Sequence, residues 1–160
     1  GAAFVISKEN ALIQSKGNAS VLYFDLFSYF SQQENGWCPF TPSVHSIYAL
    51  SEALDELADQ GGWENRKKSY SKISLSIREL LKKKGIETLL EWRDCSSMIT
   101  SFFLPNNMTY QTLYELFEDE NFIIYAGQGD LAKKIFRICN MGDIRSEDLD
   151  RLKSVIQDIF

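Results

Sequence analysis

Histidine is nearly absent from this sequence. His45 is the only imidazole in 160 residues, which excludes His-rich metal sites and leaves one candidate for any Cys-His or Ser-His-Asp arrangement. Cysteine is scarce too. Cys38, Cys95 and Cys139 stand 57 and 44 residues apart with no Cys-x-x-Cys pair, so neither a zinc knuckle nor a complete disulfide framework is indicated; buried free thiols in a reducing compartment are expected. An excess of positive charge is missing as well: 17 basic against 22 acidic side chains give a net charge of −5. That balance argues against a dedicated nucleic-acid binder, which needs a basic face to neutralise phosphates. No apolar run approaches the roughly 20 residues that span a bilayer, and GAAFVISKEN lacks the basic-then-apolar build of a signal peptide. A cytoplasmic protein without a membrane or metal site is the expectation.

What is present is an ordinary globular composition, 44% hydrophobic and 13% aromatic, punctuated by few breakers. Ala3-Phe4-Val5-Ile6 reads as a short buried strand. Between Val21 and Gln33, Leu22, Leu26, Tyr29 and Phe30 share one helical face, although the density of aromatic residues there also suits a strand. Thr41-Pro42 supplies a helix start, with a hydroxyl to cap free N–H groups and Pro at the first turn. Ile47, Leu50, Leu54 and Leu57 follow at helical spacing. Gly61-Gly62 ends that helix, and a second begins near Trp63, with Tyr70, Ile73, Ile77, Leu80 and Leu81 on one side. Lys82-Lys83-Lys84 then meets the negative end of the helix dipole, and Gly85 is the expected left-handed stop.

After Gly85 the period changes. Residues 97–104, 121–125 and 135–139 read as strands, with a helix over 109–118 and a last helix from a Ser146 cap through Leu149, Leu152, Val155 and Ile156. That content predicts an α+β layer over residues 92–160, a sheet with helices on one face.

Few residues invite a chemical reading. Arg66, Lys67, Lys68, Lys72, Arg78, Lys82, Lys83 and Lys84 concentrate eight of the 17 basic residues on the helix at 63–84. A solvated face opposite an apolar stripe is the preferred account, with Glu64 and Glu79 diluting the charge. Gly127-Gln128-Gly129 without a third Gly reads as a tight turn, not a dinucleotide loop. His45 reads as a structural histidine with a hydrogen-bond partner. Arg137 differs, because it interrupts the apolar strand Ile135-Phe136-Arg137-Ile138. Such an Arg either reaches the surface or grips an anion, and a planar guanidinium suits a carboxylate.

The segment FRICNMGDI, Phe136 to Ile144, resembles the C-terminal region of class V, fold-type-I aminotransferases that use pyridoxal 5'-phosphate. Together with FTPSVHSIYAL (Phe40 to Leu50), EALDELADQGG (Glu52 to Gly62) and FIIYAG (Phe122 to Gly127), it looks most like the 2-aminoethylphosphonate:pyruvate aminotransferases of that class. The motifs stand in the family's order and cover nearly the whole chain.

The resemblance implies that residues 1–62 end the large cofactor domain, that 63–91 form a connecting helix, and that 92–160 form the C-terminal small domain. It implies that Arg137 binds the substrate carboxylate, of pyruvate or alanine, and that Thr41 helps bind the cofactor phosphate, in the partner subunit's site of a homodimer. The free N–H groups and positive dipole end of a helix suit that phosphate. It also implies that the Schiff-base Lys lies a few residues upstream of Gly1, with Lys8 and Lys16 as surface residues. No residue within the chain is then catalytic, the substrates are small molecules, and the chain alone cannot transaminate. Two departures bear on substrate identity: Cys139 replaces a usual Gly beside the carboxylate-binding Arg, and Gln128 replaces a common Lys. The alternatives are another class V transaminase, of the alanine:glyoxylate or serine:pyruvate type, and a non-catalytic binding or dimerisation module.

Overall fold

The apolar periodicity becomes six α-helices and three strands among the described residues, 3–160, of the computed structural model. The chain divides between Ala58 and Asp59 into two compact units.

The first unit holds α1 (Glu9–Gln14), α2 (Leu26–Glu34) and α3 (Val44–Asp59). Phe4, Val5 and Ile6 form no strand and are 72%, 64% and 99% exposed. A strand needs a neighbour to take its N–H and C=O groups, and no strand lies in this unit among the described residues. The expected continuous helix from Val21 is broken in two: a single 3₁₀ turn over Leu22–Phe24, then α2. Asp25 makes the break, because its carboxylate leaves the helical path to accept from the Ser28 N–H at 3.2 Å and so caps α2. Gly36, at φ +69°, ends α2, and the Trp37 N–H reaches back to the Gln32 carbonyl at 2.8 Å. α3 begins later than Thr41-Pro42 suggests. Its first bond runs from the Ile47 N–H to the Ser43 carbonyl at 3.2 Å, and the Ser43 and Ser46 hydroxyls lie 2.8 Å apart. Ser43 therefore occupies the place at the helix start expected of Thr41.

The second unit follows its expected order closely. α4 (Gly62–Lys83) starts after Gly61-Gly62 and stops at Gly85. Gly85 has φ +80°; its N–H bonds to the Lys82 carbonyl at 3.0 Å and that of Ile86 to the Leu81 carbonyl at 2.9 Å. These paired bonds take up carbonyls that the helix end would otherwise leave open, and Leu81 and Ile86 meet in the core beneath them. Asn121, at φ +60°, does the same for α5 (Tyr110–Asp119), which Thr109 caps by accepting from the Thr112 N–H at 3.2 Å. Ser146 is the first residue of α6 (Ser146–Ile159), and no side chain caps this helix. Glu147 and Asp148 place negative charge on its first turn instead.

The sheet is antiparallel, in the order β1 (Ile99–Phe103), β3 (Ile135–Cys139), β2 (Tyr125–Ala126). β2 shares only Tyr125 with the run NFIIY: the Phe122 N–H is still bonded back to the Phe117 carbonyl at 2.8 Å, and pairing with β3 begins at Tyr125. Register places Phe102 against Phe136 and Ser101 against Arg137. Alternation then sorts the faces. Phe102 and Phe136 point into the core, their ring centroids 5.4 Å apart, among Leu81, Leu113, Phe117 and Ile156, all fully buried. α4, α5 and α6 all contribute to this core, so the helices cover one face. The Ser74 and Thr100 hydroxyls, 3.4 Å apart, tie α4 to β1. Asn140 ties the end of β3 to its surroundings: its side-chain amide donates to the Ser97 carbonyl at 3.0 Å and the Tyr70 carbonyl at 3.3 Å.

The turn expected at Gly127-Gln128-Gly129 closes slightly later: Gln128 is extended, and its carbonyl accepts from the Leu131 N–H at 3.1 Å across a 3₁₀ turn at Gly129–Leu131. A Cβ on Gly127 would stand 2.4 Å from the Leu131 carbonyl oxygen and 2.7 Å from Ile135 Cγ1. Gly127→Ala is expected to destabilise the intact protein by about 1–3 kcal/mol, as overpacking against backbone does; urea unfolding measures it, and an unchanged midpoint would show that the turn gives way freely.

Candidate carboxylate-binding site

Arg137 sits at the middle of the middle strand. Its direct neighbours across the sheet are Ser101 on β1 and Tyr125 on β2, and Cys139, two residues on, shares its face. This face is open. Ile99, Phe103 and Tyr125 are exposed along it, while Arg137 itself is half-buried.

One hydrogen bond orients the guanidinium: Nε donates to the Ala126 carbonyl at 2.8 Å. Its terminal nitrogens make no hydrogen bond, and no carboxylate lies within salt-bridge distance of it, among the described residues. The four N–H groups of those nitrogens are the planar fork that a carboxylate accepts from with both oxygens.

Tyr110 borders the same strand edge. Its hydroxyl donates to the Ile124 carbonyl at 2.9 Å, and burial raises its pKa, with the Ala126 backbone N–H and then the Arg137 charge pulling the other way. No local sequence signal marks Tyr110 or Ser101 as neighbours of Arg137: strand pairing brings Ser101 there, and the packing of α5 against the β2 edge brings Tyr110.

Thr41 lies in the first unit, in the loop between α2 and α3, and is exposed. Gly36 to Pro42 line an open hollow of about 570 Å³. An accessible hydroxyl just before a 16-residue helix, near N–H groups that have no intrahelical partner, is compatible with a phosphate ligand. His45 is exposed on the first turn of α3 with no hydrogen bond to its ring among the described residues, contrary to the partner-bonded histidine expected. The three cysteines are free and half-buried.

The basic helix face also needs correction at one position. Arg78 is buried, not solvated: Nε donates to the Ser74 carbonyl at 3.3 Å and Nη1 to the Trp92 carbonyl at 3.1 Å. Trp92 folds over this side of α4, with the Arg78 guanidinium 5.7 Å and the Lys82 ammonium 5.2 Å from its ring centroid. Lys67, Lys68, Lys72, Lys82 and Lys83 remain exposed. Beside the sheet, a cavity of about 280 Å³ is lined by Ile73, Ile77, Ile138, Asn140 and Leu152, and Arg137 has no part in it. No helix is long and apolar enough to cross a membrane, and no group of three or more His, Cys, Asp or Glu could hold a metal among the described residues.

The chain is 35% identical over 99% of its length to a 2-aminoethylphosphonate–pyruvate transaminase of Bacillus cytotoxicus, and 33% identical over 98% to one of Vibrio cholerae. The resemblance holds along the whole chain. The chain spans about 44% of the length of these relatives. Among solved structures, an alanine–glyoxylate aminotransferase from Nostoc sp. superposes with a TM-score of 0.77 at 22% identity, over 95% of this chain and 42% of that one. A phosphoserine aminotransferase from Cytophaga hutchinsonii gives 0.77 at 16% identity, over 93% and 41%. The fold is that of part of a fold-type-I aminotransferase. No family model matches.

The Tyr110 environment has a spectroscopic consequence. The folded protein holds this phenolic proton more tightly than the unfolded chain does. That contribution to stability is intact below the ordinary phenol value of about 10 and is lost as pH rises through the raised one. In an alkaline absorbance titration, Tyr110→Phe is expected to lose one phenol from the late-ionising group; loss of one that ionises at the ordinary value would contradict the burial.

Proposed function

We propose that this chain is the C-terminal part of a pyridoxal-phosphate-dependent aminotransferase that moves the amino group of 2-aminoethylphosphonate to pyruvate, leaving phosphonoacetaldehyde and L-alanine. The observation that carries the reading is Arg137: a guanidinium on the central strand, oriented by one backbone carbonyl and with its terminal nitrogens turned to no acid of its own unit. It stands within the segment that most resembles the family, and similarity to transaminases of this name runs along the whole chain.

Arg137 binds the carboxylate of the 2-oxo acid and of the amino acid made from it. Two parallel N–H···O bonds fix the plane of the acid and so the direction of its reacting carbon. Thr41 supplies a hydroxyl to the cofactor phosphate beside the start of α3, across the subunit boundary of a homodimer. Bound pyridoxal phosphate supplies the electron sink that amino transfer needs. The Schiff-base Lys lies upstream of Gly1, residues 1–62 close the large domain, and 92–160 form the small domain, in a cytoplasmic enzyme.

A second reading rests on Cys139. Strand alternation puts this residue, which stands where the family usually has Gly, on the Arg137 face two positions along β3, where a thiol in place of hydrogen would crowd a bound carboxylate. Another class V transaminase, with a different donor or acceptor and the same role for Arg137, follows from that crowding.

Incubating the complete protein with 2-aminoethylphosphonate and pyruvate is expected to yield alanine. A preference for a different amino donor by orders of magnitude would replace the first reading with the second. Arg137→Ala is expected to cost about 2–4 kcal/mol in kcat/KM for pyruvate, roughly 30- to 1000-fold, as loss of a charged bidentate contact does. Unchanged kinetics would make Arg137 structural. Borohydride reduction of this chain with pyridoxal phosphate is expected to label neither Lys8 nor Lys16 stoichiometrically; a specific adduct on either would place the catalytic Lys within the chain.

A further inference from the structure

β2 is held weakly by its own ladder. Only Tyr125 and Ala126 pair with β3, and the strand lies at the edge of the sheet. The other edge is covered: the Phe103 N–H donates to the Glu87 carbonyl and the Leu89 N–H to the Ser101 carbonyl, both at 2.9 Å, so residues 87–89 run along β1. At β2 the corresponding carbonyls take side chains instead. Ile124 O accepts from the Tyr110 hydroxyl at 2.9 Å, and Ala126 O accepts from Arg137 Nε at 2.8 Å.

These two bonds act on one short piece of backbone. A side chain with four rotatable bonds keeps a single orientation only if an anchor takes up its freedom, and the anchor of Arg137 is the Ala126 carbonyl. That carbonyl is itself placed by a strand with two paired residues, by the Gly127 N–H of the same peptide group, which donates to the Ile135 carbonyl at 3.2 Å, and by Tyr110, which joins the strand to α5. Tyr110 is the first residue of α5, whose start Thr109 caps, so the phenol is carried on a helix whose buried Leu113 and Phe117 belong to the core.

We propose that Tyr110 is a positioning residue for Arg137, holding the β2 edge so that the Ala126 carbonyl orients the guanidinium and directs its terminal nitrogens toward the carboxylate of the 2-oxo acid acceptor. The inference rests on the assignment of Arg137 as the carboxylate-binding residue and adds a second residue to that site. Tyr110 touches neither substrate nor cofactor in this scheme. Its effect reaches substrates through the carboxylate that Arg137 binds.

The test uses the complete protein and four versions of it: unaltered, Tyr110→Phe, Arg137→Lys, and both together. Tyr110→Phe keeps the ring and its packing and removes one neutral hydrogen bond. It is expected to raise KM for pyruvate about 3- to 10-fold, the equilibrium effect of one such bond, while kcat and KM for 2-aminoethylphosphonate stay within about twofold. In the Arg137→Lys background, where no guanidinium remains to orient, the same change is expected to add nothing to KM for pyruvate. A wild-type KM for pyruvate in Tyr110→Phe, with Arg137→Lys impaired, overturns the positioning role and leaves the Arg137 assignment standing. Equal losses toward both substrates, or effects that simply add in the double variant, also overturn it by making Tyr110 a general structural residue. If Arg137→Lys itself leaves pyruvate kinetics unchanged, the assignment of Arg137 fails, and this inference fails with it.

Discussion

A guanidinium on the middle strand of a three-stranded sheet is the constraint that organises the second unit. A central strand has neighbours on both edges and a packed face beneath, so its one cation must lie on the remaining face. Phe136 and Ile138 anchor β3 in the helix-covered core, and alternation sends Arg137 the other way. The helices gather on one side because that side carries Phe102 and Phe136. The consequence is an open face with a fixed cation at its centre and with Ser101, Tyr125 and Cys139 around it.

The strand edges complete this arrangement. An exposed edge is a row of unpaired donors and acceptors that invites other strands. Here residues 87–89 cover the β1 side, and the side chains of Tyr110 and Arg137 occupy carbonyls of the β2 side. The same bond that protects the β2 edge aims the Arg137 side chain. Arg78 shows a different solution for a cation: buried on α4, it bonds two backbone carbonyls and lies against the indole of Trp92, and so has a structural environment with no open fork.

The two units differ in how well local pattern foretold them. In the second, most elements stood close to expectation because the signals are local: Gly85 needs only its own φ and β3 only four apolar neighbours, whereas the strand expected over 121–125 shrank to Tyr125–Ala126 and Ser146 begins α6 without capping it. In the first, Ala3 to Ile6 reads as a buried strand and lies exposed, because burial of a strand depends on partners that no run of residues supplies for itself. The displacement of the α3 start from Thr41 to Ser43 has a similar cause, as Ser43 offers the same capping chemistry two residues later. Arg78 was unreadable for another reason. Its spacing puts it beside the apolar stripe, and only the fold of the chain at Trp92 decides which side of that boundary it joins.

By itself the sequence determined the succession of helices and strands after Gly61, a turn just after Gly127, and the oddity of a lone Arg in an apolar strand, since each follows from spacing along a few residues. The motifs around Arg137 also carried the resemblance to aminotransferases, because a chemical role requires particular side chains at particular positions. Only the tertiary structure decided that β3 is central, that Ser101 and Tyr125 flank Arg137, and that Tyr110 reaches the carbonyl two residues from the one the guanidinium holds. Those facts depend on pairing between segments tens of residues apart, where the energy lies in register and packing and leaves no mark on any single stretch of chain.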